Sequence, residues 1–195
     1  MKGSDANKII VLSYIKYFEN ALHRYCDGIE VKSKLDIAKF KAMWRTAEME
    51  RCFTEVILWS ILAAESLINY YGYKKFGVSA VKDHFDKLSL VNKWVLVSSY
   101  QSDRGFSYSN ELIKKFEIIV SLRNKIVHEK PLPIDKQKVK IVHKGDAEMA
   151  YLTVNSMGLR LHEIDPKIKV DWIDANKRLP RLTKVRKIWK ANPDM

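Results

Sequence analysis

Cysteine, glycine and proline are scarce in this 195-residue sequence, which contains two, seven and five of them. Cys26 and Cys52 lie in apolar helical patterns and not at metal-ligand spacing, and two cysteines cannot build a disulfide scaffold. Few glycines and prolines leave long amphipathic runs uninterrupted, as in mainly helical domains. The scarcity therefore predicts an all-α fold in which both cysteines are reduced core residues.

Signatures of several enzyme classes are also missing. The sequence contains no glycine-rich phosphate loop, no serine nucleophile elbow, no HExxH motif and no cysteine pair at zinc-binding spacing. Internal repeats and low-complexity runs are absent as well. We therefore expect neither a cofactor nor a metal ion.

No uninterrupted apolar run approaches the roughly 18 residues that are needed to cross a bilayer. The most apolar stretch, residues 56–64, stops at Glu65. The N-terminus lacks the long apolar core of a signal peptide. A cytoplasmic protein without membrane association is predicted.

Acidic residues are outnumbered, since 35 Lys and Arg against 23 Asp and Glu give a net charge of +12. Residues 166–195 hold nine basic and three acidic side chains, so half of the excess lies in this C-terminal tail. The charge suggests a polyanionic partner such as a nucleic acid, and a charge that only maintains solubility is the alternative. The length predicts a single domain over residues 1–165, followed by the basic tail.

Helical periodicity covers most of this domain. A stripe over residues 9–26 predicts a first helix that ends near Gly28. Residues 32–71 contain neither proline nor glycine. The pattern there predicts either one very long helix or two helices joined near Thr46.

Residues 56–71 are apolar almost all the way round and should lie at the centre of the bundle, with Gly72 and Gly77 bracketing the helix end. Glu65 is the only charge in this stretch. An unpaired buried carboxylate costs several kcal/mol. Glu65 is therefore expected either to pair with Arg123 or to reach solvent.

Shorter elements follow. Residues 79–85 and 88–100 are predicted to be helical, and the second helix turns Trp94 inward. Residues 101–108 carry turn chemistry and lead to Ser109, the predicted N-cap of the next helix. Residues 136–143 suit a short strand or an extended arm, and residues 147–164 suit a helix, with a hairpin as the alternative.

The chemically most informative stretch is SNELIKKFEIIVSLRNKIVHEK, residues 109–130, which a Pro-Leu-Pro sequence terminates. As a helix that turns ~100° per residue, it directs Arg123 into the middle of an apolar arc, where a guanidinium needs a carboxylate, phosphate or water partner. Asn124 and His128, four residues apart, share the neighbouring edge. A fixed cation, an amide and an imidazole within about 8 Å of axial rise form a phosphate-handling set.

Residues 123–128 resemble the R-N-x-x-x-H form of the Rx4-6H motif of the HEPN superfamily, small helical bundles named for higher eukaryotes and prokaryotes nucleotide-binding. The apolar helix with Glu65, the helix around Trp94 and the stripe after the motif are similar to the layout of that family. The resemblance is strongest over residues 46–165. It implies a HEPN-like helical bundle with an additional N-terminal helix and a basic C-terminal extension.

The resemblance implies metal-independent RNA cleavage, in toxins or antiviral defence systems, by a homodimer whose two motifs face each other. Arg123 would bind and polarise the scissile phosphate, and Asn124 would help to position it. His128 would transfer protons during 2′-hydroxyl attack, leaving a 2′,3′-cyclic phosphate. The chemistry is consistent with arginine stabilising charge on a phosphate and imidazole moving protons. One histidine per motif would require the second protomer for separate acid and base roles.

Five basic side chains are expected to contact RNA, and those of the tail are interleaved with tryptophans: Lys125, Lys130, Lys184, Arg186 and Lys187. A tail that packs its tryptophans on the bundle is the alternative. Lys130 stands where toxins silenced by a nucleotidyltransferase carry a tyrosine. A tyrosine-modifying antitoxin is therefore not expected, whereas another antitoxin or defence partner is possible.

Two further interpretations stay open. In one, the chain is a non-catalytic dimeric module that binds RNA or protein through its basic surface. In the other, both motif residues are structural, because Arg123 pairs with Glu65 and His128 caps its own helix.

Overall fold

Five α-helices form the part of the chain that the structure, a computed structural model, describes: residues 3–32, 39–100, 103–128 and 142–168. They are α1 Gly3–Lys32, α2 Lys39–Ala80, α3 Leu90–Ser99, α4 Glu111–Val127 and α5 Lys144–Ile164, with a π-helical turn at Val81–Phe85. These ranges contain no strand, which confirms the all-α prediction. Residues 169–195, and most of residues 136–143, lie outside the described part.

The first two helices form an antiparallel pair. Tyr17 stacks on Trp59 with ring centroids 5.6 Å apart. Farther along α1, the Nε of Arg24 lies 2.6 Å from Oε2 of Glu55. Later residues of α1 therefore contact earlier residues of α2, so the two helices run in opposite directions.

Gly28 lies inside a helix, and the prediction that α1 ends there is wrong, because α1 continues to Lys32. A Cβ at Gly28 would lie 2.5 Å from Cε1 of Phe53, a ring that is 1% exposed. The missing side chain therefore lets α1 approach α2 closely. In the sequence, a glycine that is required for close packing cannot be distinguished from a glycine that ends a helix.

The second helix is a single long element and not two helices joined near Thr46. It passes through Gly72 without a break and is interrupted at Gly77, where φ is 81° and ψ is 165°. This left-handed backbone conformation favours glycine, since a Cβ would be strained there. Only the second of the two glycines expected at the helix end therefore marks a kink.

By length and composition, the helical stretch Ala47–Phe85 could cross a membrane, with a mean hydropathy of 1.4 in its most apolar window. Glu65 interrupts the apolar run, but one charge changes the mean hydropathy of this long stretch only slightly. However, 56% of this window is buried inside the bundle. Burial accounts for the apolar composition, so the helix is weak evidence for a membrane span.

The described helices share one cluster of buried apolar side chains. Trp94 of α3 is completely buried and meets Phe106 and Phe116 edge-on, with ring centroids 5.5 Å and 6.1 Å away. Its predicted inward direction is confirmed. The buried stripe of α4 is spaced by three residues and consists of Ile113, Phe116, Ile119 and Leu122.

The helical interpretation of residues 147–164 is confirmed, and the hairpin alternative is wrong. His143 is the N-cap of α5, and its backbone N–H donates to Oδ2 of Asp146 at 3.1 Å. The helix ends at Ile164, and Pro166 follows its C-cap Asp165.

An ion pair ties the end of α5 to α2. Nζ of Lys75 lies 2.5 Å from Oδ2 of Asp165, with the lysine and aspartate side chains 24% and 10% exposed. Burial alone would raise the pKa of Asp165, but the hydrogen bonds from Lys75 and from the backbone of Lys167 lower it below the usual 3.8. The hydrogen bond to Asp165 raises the pKa of Lys75 above 10.5, against the opposing effect of burial.

We expect Lys75→Ala to lower the free energy of unfolding by about 2 kcal/mol, because it leaves a largely buried carboxylate unpaired. Lys74→Ala is the matched control: Lys74 is exposed and, like Lys75, lies over a tyrosine ring. Its effect should stay within about 0.5 kcal/mol. Urea unfolding at neutral pH measures both values, and equal losses would contradict the assignment.

The same pair predicts a pH dependence. Since the folded pKa of Asp165 is lowered, its contribution is present above the usual 3.8 and is lost as the pH falls through the folded value. Since the folded pKa of Lys75 is raised, its contribution is present below 10.5 and is lost as the pH rises through the folded value. The difference in unfolding free energy between wild type and Lys75→Ala should therefore be constant from about pH 5 to pH 10 and become smaller in acid.

Candidate functional site

The helix that carries the predicted motif begins one residue later than expected. Asn110 is its N-cap, since Oδ1 of Asn110 accepts from the backbone N–H of Leu112 at 2.9 Å. The hydroxyl of Ser109, the predicted cap, instead lies 2.9 Å from the hydroxyl of Ser107. Both residues favour N-caps, so local sequence does not distinguish them.

The helix ends a few residues before the Pro-Leu-Pro sequence that is expected to terminate it. Its last residue is Val127, and the C-cap is His128, whose backbone N–H donates to the carbonyl of Asn124 at 3.0 Å. The imidazole of His128 is exposed. The backbone of His128 therefore terminates the helix, while its side chain remains available for chemistry.

Arg123 is half-buried, and its Nη1 donates to Oδ1 of Asn124 at 3.0 Å. The expected pair with Glu65 does not form: in the described part of the chain, Glu65 makes no ion pair or hydrogen bond and is half-buried. The long side chain of Arg123 instead reaches along its own helix to the neighbouring amide of Asn124. The solvent-reaching alternative for Glu65 agrees with this arrangement.

One face of α4 forms the wall of an open groove with a volume of ≈ 620 Å³. The residues that line it recur every three or four positions, which places them on one side of the helix. From the N-terminal to the C-terminal end they are Glu117, Val120, Ser121, Asn124, Lys125 and His128. Eleven residues at 1.5 Å each give this wall a length of about 16 Å.

The opposite wall comes from α3 and from the loop before α4. Ser89, the N-cap of α3, lies there with Val91 and Asn92. The hydroxyl of Tyr108 donates to Oδ1 of Asn92 at 3.0 Å, and the Tyr108 residue is 56% exposed. The groove therefore combines two valines, Val91 and Val120, with amide, hydroxyl, carboxylate and cationic groups.

The structure brings some of the predicted site residues together and separates others. Asn124, Lys125 and His128 line the groove, and Arg123 joins them through its hydrogen bond to Asn124. Glu65 is not among the lining residues. Lys130, Lys184, Arg186 and Lys187 lie outside the described residues.

Sequence reasoning missed the other half of the groove. Glu117 and Ser121 precede Asn124 and Lys125 at helical spacing, so that same-face pattern was a usable signal. Asn92 and Tyr108 gave no such signal, because they reach the groove only through the packing of α3 and the loop against α4.

The groove offers donors and a proton carrier. Lys125, His128 and the amide of Asn124 can all donate to phosphate oxygens, and a free imidazole can accept or release a proton. Among the described residues, no three His, Cys, Asp or Glu side chains are grouped so that they could hold a metal ion.

Comparison with known proteins returned no similarity: no protein-family model, no curated protein and no solved structure matches this chain.

Proposed function

We propose that the protein is a HEPN-like, metal-independent endoribonuclease of the toxin or defence type, which cleaves RNA in the cytoplasm by attack of a 2′-hydroxyl. The observation that carries the proposal is the exposed imidazole of His128 in a groove with Asn124 and Lys125, with Arg123 bonded to Asn124. Three of these residues, Arg123, Asn124 and His128, match the R-N-x-x-x-H motif of the resemblance, and the side chains of Asn124 and His128 are exposed.

The roles follow from the chemistry of the groups. Arg123 and Lys125 neutralise the scissile phosphate and stabilise the charge that develops on it, while Asn124 orients the guanidinium through their hydrogen bond. His128 takes the proton of the attacking 2′-hydroxyl or gives one to the leaving 5′-oxygen. The products carry a 2′,3′-cyclic phosphate and a 5′-hydroxyl.

A homodimer through α4 completes the site in this proposal. One imidazole cannot serve as base and acid in the same step, so two His128 side chains from facing protomers divide the roles. The groove is open along α4, which leaves this face accessible to a second copy. Two cationic ends then converge on a single phosphate.

The direct test is cleavage of mixed-sequence single-stranded RNA in the presence of EDTA. The proposal predicts fragments that end in 2′,3′-cyclic phosphate, and no cleavage of the same sequence with 2′-O-methyl groups. Binding of both RNAs without cleavage of either would reject the nuclease and support a non-catalytic RNA-binding module. Cleavage that requires a divalent metal would reject the mechanism.

A mixing experiment tests the composite site. When wild type and His128→Ala are denatured, mixed in equal amounts and refolded, about a quarter of random dimers contain two wild-type chains. If both imidazoles are needed, activity at constant total protein should fall to about a quarter of the wild-type value. A fall to one half, with each protomer acting alone, would contradict the shared site.

A further inference from the structure

Hydrogen bonds with Ser98 and Ser99 hold the loop before α4 against α3. The hydroxyl of Ser98 accepts a hydrogen bond from the backbone N–H of Phe106 at 3.0 Å and donates one to the carbonyl of Trp94 at 2.7 Å. The hydroxyl of Ser99 donates to the carbonyl of Phe106 at 2.8 Å. Phe106 itself is buried. The loop is therefore anchored to α3 immediately before it reaches the groove.

Tyr108 projects from this anchored loop into the groove. Its hydroxyl is already bonded to Asn92, and the Tyr108 residue is 56% exposed. The hydrogen bond fixes the direction of the ring, so its faces are what the residue offers to a ligand. A rigid, exposed aromatic ring costs little further entropy when a flat group stacks on it.

The charges of the groove are divided along α4. Glu117 lies at one end, and Lys125 and His128 lie eight and eleven residues later, about 12 Å and 16 Å along the axis. Glu117 makes no ion pair in the described part of the chain. A carboxylate repels a phosphate but accepts hydrogen bonds from the amino group of a base, as it does with cytosine N4.

We propose that Tyr108 stacks on one unpaired RNA base and that Glu117 accepts from the amino group of that base, while the adjoining phosphate lies at the Lys125 and His128 end. The proposal rests on RNA as the substrate of the same groove and assigns its base subsite. Unpaired RNA bases are recognised by stacking on aromatic side chains and by hydrogen bonds to their edges. Bases that carry an amino group should therefore be preferred to uracil.

The experiment measures binding without cleavage. The probes are fluorescent 2′-O-methyl 12-mers of cytidine and of uridine, whose blocked 2′-oxygens cannot attack, and anisotropy is followed at one fixed salt concentration. Tyr108→Ala should weaken binding of the cytidine probe by about tenfold or more. Tyr108→Phe retains the ring and should stay within about threefold.

Tyr100→Ala is the matched control. Tyr100 is 71% exposed but packs edge-on against Phe76, with ring centroids 4.9 Å apart, and does not line the groove. The affinity of Tyr100→Ala for the cytidine probe should equal that of wild type. Tyr108→Leu supplies an apolar side chain without a π face and should bind as weakly as Tyr108→Ala, with circular dichroism confirming that both variants fold.

Glu117→Gln tests the base edge. Wild type should prefer the cytidine probe to the uridine probe by about threefold or more, and the variant should lose this preference because an amide both donates and accepts. A preference that is unchanged in Glu117→Gln would remove the carboxylate from the proposal.

The outcomes separate this subsite from the nuclease. Binding that depends on Tyr108 without any RNA cleavage would retain the subsite and reject the nuclease. If wild type cleaves RNA and Tyr108→Ala binds the cytidine probe as tightly as wild type does, the nuclease is retained and the subsite is rejected. Absence of RNA binding by wild type overturns the subsite, and so does an affinity of Tyr108→Ala for the cytidine probe that equals that of wild type.

Discussion

Replacement of His128 by alanine is expected to lower the rate of RNA cleavage in EDTA by about 10²- to 10⁴-fold, the usual contribution of a positioned acid or base. If both imidazoles of a dimer act at one phosphate, the loss lies at the upper end of this range. The fold should tolerate the change, because the side chain is exposed and helix α4 is capped by the backbone of this residue. Initial rates on labelled RNA measure the effect.

His84→Ala is the matched control for this prediction. His84 is exposed as well and lies in the π-helical turn after α2, outside the groove. Its cleavage rate should equal that of wild type. If His128→Ala retained more than about a third of the wild-type rate while remaining folded, proton transfer by this imidazole would be rejected.

Replacement of Gly105 by alanine is expected to cost about 3 kcal/mol of unfolding free energy, at the upper end for an overpacked site. A Cβ there would lie 2.7 Å from the backbone nitrogen of Ser99 and closer still to its Cα. Ser99 is the last residue of α3, and backbone atoms of a helical turn cannot move aside as a flexible side chain can. The loop would have to leave α3, which would also displace Phe106 from the core.

Gly145→Ala provides the control for this substitution. Gly145 is in the first turn of α5, and a Cβ there would have no neighbour within 4 Å. The change should leave stability unaltered or raise it by about 0.5 to 1 kcal/mol, because alanine restricts the unfolded chain and favours helix. Urea unfolding measures both variants. A cost below about 1 kcal/mol for Gly105→Ala would show that the loop is not clamped as described.

Helix positions were largely predictable because their signals are local. Apolar spacing and Trp94 identified α3, and the Pro-Leu-Pro sequence after residue 130 placed His128 in the last turn of α4, where the structure has it as the C-cap. Glycine was the least reliable of these signals. Gly28 looked like a helix terminator, yet it lies within α1 because Phe53 of another helix leaves no room for a side chain.

The sequence also predicted which residues form the motif, but it did not predict which partners their side chains bind. The R-N-x-x-x-H spacing placed Asn124 and His128 on one edge of a helix, and both line the groove. The expected pair of Arg123 and Glu65 failed because charge complementarity says nothing about distance between two helices. Arg123 found a partner one residue away instead.

From the residues alone came the all-α class, the approximate position of α4 and the set of groups that can handle a phosphate, because these depend on interactions within one or two helical turns. The groove itself required the packing of α3 and the Ser98-anchored loop against α4, which brings Tyr108 and Asn92 opposite Glu117 and His128. Contacts between elements depend on crossing geometry and on the close approaches that glycines permit. A linear pattern does not contain that information.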